Sequence, residues 1–175
     1  MPPWWSEVIT TVSGEFSDLP DVAEFTRVLL RLLIAVLLGA AIGYDRERKE
    51  SPAGLRTHML VALGSALFVV GPLQAGFDQE AISRVVQGLI AGIGFLGAGT
   101  IIKLNEKEQV KGLTTAASVW ATASIGVVAG MGRESTAVLA TVLVLIILAV
   151  IPMLERRQAR GRAGPATHDE PPPSH

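Results

Sequence analysis

The sequence predicts an all-α polytopic membrane protein, a bundle of about five transmembrane helices with the N-terminus outside and the C-terminus inside. Three observations carry that expectation. Apolar residues, 49% of the 175, are gathered into long blocks nearly free of charge, and the mean hydropathy is +0.43. A soluble core of this size would interleave apolar and charged residues at helix or strand period. Each block approaches the roughly 20 apolar residues that a helix needs to cross a bilayer core. Lysine and arginine, in turn, alternate between rich and poor connections.

The elements follow in order. Residues 1–20 form an acidic N-terminal segment in which Trp5, Val8, Ile9, Val12 and Phe16 share one helical face. That is the pattern of an amphipathic helix at the outer interface, or else of a mildly apolar flexible leader. Its acidic start does not read as a cleavable signal. The membrane domain covers 21–155. Its first block runs from Val22 to Tyr44, behind Asp21 and Glu24 at capping-box spacing. Arg27 and Arg31 lie in its first turns, where long side chains can snorkel to the interface. The second block runs from Leu55 to Leu73, stopping near Gly71 and Pro72, and the third from Ile82 to Ile102. The fourth runs from Leu113 to Met131 and the fifth from Ala137 to Leu154. Residues 156–175, basic and then Pro-rich, cannot bury a core and are expected to form a disordered cytoplasmic tail.

Charge sets the orientation. The successive connections carry Arg46, Arg48, Lys49 and Arg56; then Arg84; then Lys103, Lys107 and Lys111; then Arg133. The tail carries Arg156, Arg157, Arg160 and Arg162. Basic loops stay on the cytoplasmic side, so this alternation places the N-terminus out and the C-terminus in. The net charge of −1 gives no basic field for nucleic acid. With no cysteine, disulfides and thiolate metal sites are excluded, and His58, His168 and His175 are too scattered for a histidine-built site. Nor is there a Ser-His-Asp grouping or a paired acid deep in a span, so an enzyme is not expected.

Small residues mark several spans. Gly39 and Gly43 form a small-xxx-small pair in the first span, as do Gly88 and Gly92 in the third. The fourth span carries Thr114, Ser118, Thr122, Gly126 and Gly130 at four-residue spacing, beside Thr115 and Trp120. In lipid, close backbone approach supplies much of the attraction between helices. These stripes therefore predict tight packing, either within one chain or across a homodimer. Gly92, Gly94, Gly97 and Gly99 fall within eight residues and match a dinucleotide fingerprint by letter. The strand, helix start and downstream acid that the fingerprint needs are missing. Glycines so dense weaken a helix by up to about 1 kcal/mol each. The third span could then break in mid-membrane and line a path, or simply admit a neighbouring helix.

The first basic loop is chemically the richest. Asp45, Glu47 and Arg48 leave the first span, and Arg56 and His58 open the second. A carboxylate at the membrane edge is costly unless it is paired or coordinating. Asp45 and Glu47 could hold a hydrated divalent cation through oxygen ligands, the mode expected for Mg2+. Alternatively, Arg56 and His58 close on them as an ion-pair latch between helices.

Four segments in register resemble the MgtC/SapB family of bacterial inner-membrane proteins. They are Gly39–Gly43 leading into Asp45–Arg48, Ala53–His58, Gly92–Gly99, and Val110–Thr122. The resemblance covers Val28 to Leu154. It implies an inner-membrane location and an association with growth under magnesium limitation and, in pathogens, with survival inside macrophages. It also implies a regulator of another membrane complex, such as the proton-driven ATP synthase. Many members carry a cytoplasmic ACT-like domain. After Leu154 this sequence departs from them, so functions housed in that domain are not expected here, and the virulence role does not transfer on the membrane domain alone.

Two functions from different classes follow as expectations. In one, the protein is a regulatory interaction partner acting through small-residue helix faces. In the other, it is a transporter or channel for Mg2+ or another cation, using Asp45, Glu47 and the glycine-rich third span. The first is favoured, because no acidic residue lies inside spans two to five, whereas a divalent-cation path commonly wants one.

Overall fold

The structure is a computed structural model describing residues 3–15, 21–104 and 109–162. Its elements in chain order are α1 (Trp4–Glu15), α2 (Val22–Arg48), α3 (Leu55–Gln74), α4 (Gln79–Gly99), β1 (Ile102–Leu104), β2 (Gln109–Lys111), α5 (Leu113–Gly130) and α6 (Glu134–Arg162). Helices α2 to α6 supply the five membrane-length apolar segments. At 1.5 Å per residue, the 27 residues of α2 reach about 40 Å, longer than a bilayer core of about 30 Å. Its charged last turn therefore stands clear of the hydrocarbon.

Local chemistry fixes the ends. Asp21 accepts a hydrogen bond from the Glu24 amide at 2.6 Å, as its spacing predicts, and Asp78 caps α4 through the Ala81 amide at 2.8 Å. The strands β1 and β2 form an antiparallel ribbon, with Ile102 opposite Lys111 and Leu104 opposite Gln109. Apolarity alone carries the third span on to Ile102. Instead α4 ends at Gly99 and the backbone turns into the ribbon. Gly112 returns the chain to α5 at φ 98°, a left-handed conformation that side chains rarely adopt. At the other boundary α6 continues through Arg162, so residues 156–162 extend the last helix rather than begin a tail. The rest of the expected tail, like Phe16, lies outside the described residues.

The bundle is organised around α5, which packs against α2, α3, α4 and α6. More than half of α5's span is buried (56%), against 17% for α4. One core cluster joins Ala35, Ile42, Ala62, Ala66, Ile125, Ala129, Ala137 and Leu148; a second joins Ala53, Ile93, Val119 and Ala123. Most of these side chains are small, which lets the helices approach closely. Outside, Leu37, Leu60, Phe68, Leu139 and Ile147 are exposed, while His58, Ser65, Thr115, Ser118, Thr122 and Thr141 are buried. Apolar outside and polar within reverses the distribution of a soluble protein. It is what a bilayer requires as solvent.

Helix α1 buries none of its residues, and Trp4, Trp5, Val8, Ile9 and Val12 are all exposed along it.

Candidate functional site

The polar centre of the molecule is built on a close crossing of α2, α3 and α5. A Cβ at position 39 would stand 2.6 Å from the His58 carbonyl oxygen, and one at position 43 would stand 2.7 Å from the Leu55 Cα. On the other side of α3, a Cβ at position 126 would collide with the Ala62 carbonyl, and one at 130 would stand 2.7 Å from that of Ala66. Helix α3 is thus clamped between two glycine faces. A methyl group on either face would force the helices apart.

That proximity brings His58 onto α5. The ring is fully buried; Nδ1 lies 2.8 Å from the Gly54 carbonyl oxygen and Nε2 lies 3.1 Å from the Ser118 hydroxyl. A carbonyl only accepts, so Nδ1 carries a proton. The Ser118 hydroxyl lies between Nε2 and the Thr115 carbonyl, to which it donates at 2.8 Å. Thr122 continues the series by donating to the Ser118 carbonyl at 2.8 Å. Toward the loop, Ser51 and Thr115 share a hydrogen bond of 2.7 Å between hydroxyls. The result is a polar seam locking the α2–α3 loop and α3 to the start of α5.

The charged residues of the loop face elsewhere. Asp45 pairs with Arg46 and with Lys49, both at 2.8 Å, and Arg46 is buried. The Lys49 amine also donates to the Leu148 carbonyl at 2.7 Å, tying α2 to α6. Glu47 accepts from the Leu55 amide at 2.7 Å and so caps α3, its negative charge set at the positive end of the helix dipole. Arg48 lies over the Tyr44 ring, 5.7 Å from its centroid. Arg56 is exposed. The latch expected of Arg56 and His58 against Asp45 or Glu47 is therefore not the one formed: Arg46 and Lys49 take Asp45, a backbone amide takes Glu47, and His58 turns inward. Both Asp45 oxygens and Glu47 Oε2 have partners within the chain. Among the described residues, no group of three or more His, Asp or Glu converges as a metal site.

The remaining small residues divide sharply. Ser118, Thr122, Gly126 and Gly130 are buried along α5, but Thr114 is exposed and Thr115 takes the buried place. Four-residue spacing drifts about 40° per step on a helix of 3.6 residues per turn, so a five-member stripe cannot hold one face. In α4, Gly97 alone approaches a neighbour, at 3.6 Å from the Ala116 Cβ. Gly88, Gly92, Gly94 and Gly99 meet nothing within 4 Å, and α4 is one uninterrupted α-helix to Gly99. Of the two readings of these glycines, a break in mid-span does not occur, because backbone hydrogen bonding in a membrane-length helix outweighs their propensity cost. Trp120 is half exposed in a groove of about 170 Å³ between α4 and α5, with Leu89, Ile90 and Ile93.

Sequence reading missed several participants. Ser51, Arg46 and Lys49 sat within a mixed-charge run that reads as a solvated helix end. Ala62 and Ala66, which fill the glycine notches, carried no signal beyond their size. Arg31, in the first turns of α2, reaches the end of α5: it lies 3.5 Å from the Gly130 carbonyl and closely approaches Gly132. A cation there complements the negative end of the α5 dipole.

Five apolar helices of membrane length, with polar groups turned inward, define a multi-pass integral membrane protein. Residues 32–157 match the model of the MgtC family, and the chain belongs to that family. Among its relatives, protein SrpB of Synechococcus elongatus is 47% identical over 137 residues, 72% of this chain and 75% of SrpB. Protein MgtC of Salmonella typhimurium is 44% identical over 117 residues, 67% of this chain and 49% of MgtC. Protein slr0014 of Synechocystis is 42% identical over 123 residues, 70% of this chain and 51% of that protein. The matched region is thus about half the length of the last two. No solved structure matches the chain.

Proposed function

We propose that this protein is a regulatory interaction partner in the bacterial cytoplasmic membrane, linked to magnesium homeostasis, that engages another membrane complex or a second copy of itself through the open face of α4. The positive-inside pattern supports an N-terminus outside and the basic loops within. Membership of the MgtC family supports the magnesium link. A proton-driven ATP synthase is the partner class suggested by the family resemblance.

The observation that carries the reading is the division of the small residues. The glycines of α2 and α5 are used up inside the chain, whereas Gly88 and Gly92, about one turn apart, stand open on a membrane-facing helix beside exposed Phe95. Small residues one turn apart let a partner helix approach closely. The interior offers little to an ion by comparison. Residues 55–74, 81–99, 113–130 and 135–151 contain no Asp or Glu, and His58, Ser118 and Thr115 are hydrogen-bonded to one another.

Magnesium flux into liposomes holding the purified protein, beside Asp45→Asn, tests the reading. Absence of flux from folded, inserted protein is the expected result. Flux that Asp45→Asn removes would overturn it and make the chain a transporter whose ion enters at the first basic loop.

A further inference from the structure

The end of α2 that carries Asp45 opens onto a groove of about 530 Å³ against α6, within the size range of small-ligand sites. Its walls change character along the helix axes. Ala41, Leu145 and Ala149 form an apolar floor, while Tyr44, Asp45, Arg48 and Lys49 form the polar end. Asp45 is already shared by Arg46 and Lys49. Glu47 is turned away onto the Leu55 amide. The carboxylate at the groove is therefore outnumbered by the cations around it.

Arg48 is the side chain with capacity to spare. Arg27 is paired with Glu24 and Arg84 with Glu80. Arg48, exposed above the Tyr44 ring, forms no ion pair or side-chain hydrogen bond among the described residues. The aromatic face fixes the guanidinium without consuming its N–H donors. Tyr44 stands where α2 leaves the apolar block, the depth at which aromatic rings meet lipid headgroups. Beyond the groove, α6 runs on through Arg162 and adds four arginine positions past the same end.

We propose that this groove binds one anionic phospholipid, its phosphodiester held by Arg48 beside the positive charge of Lys49 and its first methylenes laid along Ala41, Leu145 and Ala149. A planar guanidinium offers two parallel donors to phosphate oxygens. Basic pockets between transmembrane helices at the cytoplasmic side suit such headgroups. A free phosphate would meet the charge but leave the apolar floor uncovered, so the lipid is the better match. The site does not depend on whether the chain regulates or transports.

Native mass spectrometry of the full chain in detergent, titrated with phosphatidylglycerol and with zwitterionic phosphatidylcholine, tests this. Phosphatidylglycerol is expected to bind at least about fivefold more tightly, and Arg48→Gln to remove about that factor. Arg84→Gln, at the opposite end of the bundle, should leave the preference intact, and added inorganic phosphate should not displace the lipid. Equal retention of both lipids would overturn the site. So would a preference that survives Arg48→Gln or is lost equally in Arg84→Gln, or complete displacement by inorganic phosphate.

Discussion

The glycines of α5 and those of α4 look alike in sequence and do opposite work. Gly126 and Gly130 are filled by the backbone of α3 at Ala62 and Ala66, so no side chain fits at either position. Gly88 and Gly92 have free space where a side chain would go. One set is spent in folding the chain; the other leaves a notch facing outward. Spacing cannot separate these roles, because both sets satisfy the same small-xxx-small pattern. What separates them is which neighbour the tertiary fold places opposite.

Substitutions break this comparison in order of expected effect. Gly126→Leu must drive α3 away from α5, and we expect a loss of at least about 3 kcal/mol, seen as failure to recover monodisperse protein in detergent. Gly92→Leu is the matched counterpart. It should leave thermal stability within about 1 kcal/mol, the helix-propensity gain included, while reducing self-association or partner capture by crosslinking in membranes. Normal capture in that variant would remove the open face from the proposed function. If Gly126→Leu and Gly92→Leu behaved alike, the division itself would fall.

His58→Ala probes the seam from the ring side. It removes a fully buried ring and leaves the Ser118 hydroxyl with one partner fewer, so a loss of about 2–4 kcal/mol is expected from thermal unfolding. Ser118→Ala keeps the volume nearly constant and should cost about 1–2 kcal/mol, strongly non-additive with His58→Ala in a double-mutant cycle. Additive losses would mean that the pair is a contact of packing only. The smallest effect belongs to Glu47→Gln. The amide oxygen can still accept from Leu55, so only the charge at the α3 terminus is lost, about 0.3–1 kcal/mol and less at high salt.

Much of the fold was legible because bilayer physics is coarse. A span needs length and apolarity, and the five blocks declared both. Asp21 announced its cap by spacing to Glu24. The end of the third span was not legible: Ile101 and Ile102 are apolar enough to continue a helix, yet Ile101 leads into β1 at Ile102, in a ribbon closed by Gly112. The loop cluster was legible as a cluster but not as a wiring diagram. Asp45 had several cations within a few residues, and choosing Arg46 and Lys49 over Arg56 depends on where the α2–α3 loop folds back.

The sequence by itself thus determined the solvent of this protein, the number of its spans and the ends of most of them, since each depends on local composition. It also placed His58, the hydroxyls of the fourth span and the glycines at helical spacing. Only the tertiary structure decided that His58 faces Ser118, that Gly39 and Gly126 clamp α3 from opposite sides, and that the α4 glycines stay open. The physical reason is range. Crossing the bilayer depends on sums over about twenty neighbouring residues, whereas contact between small groups depends on ångström-scale packing of segments some 60 residues apart, as His58 and Ser118 are.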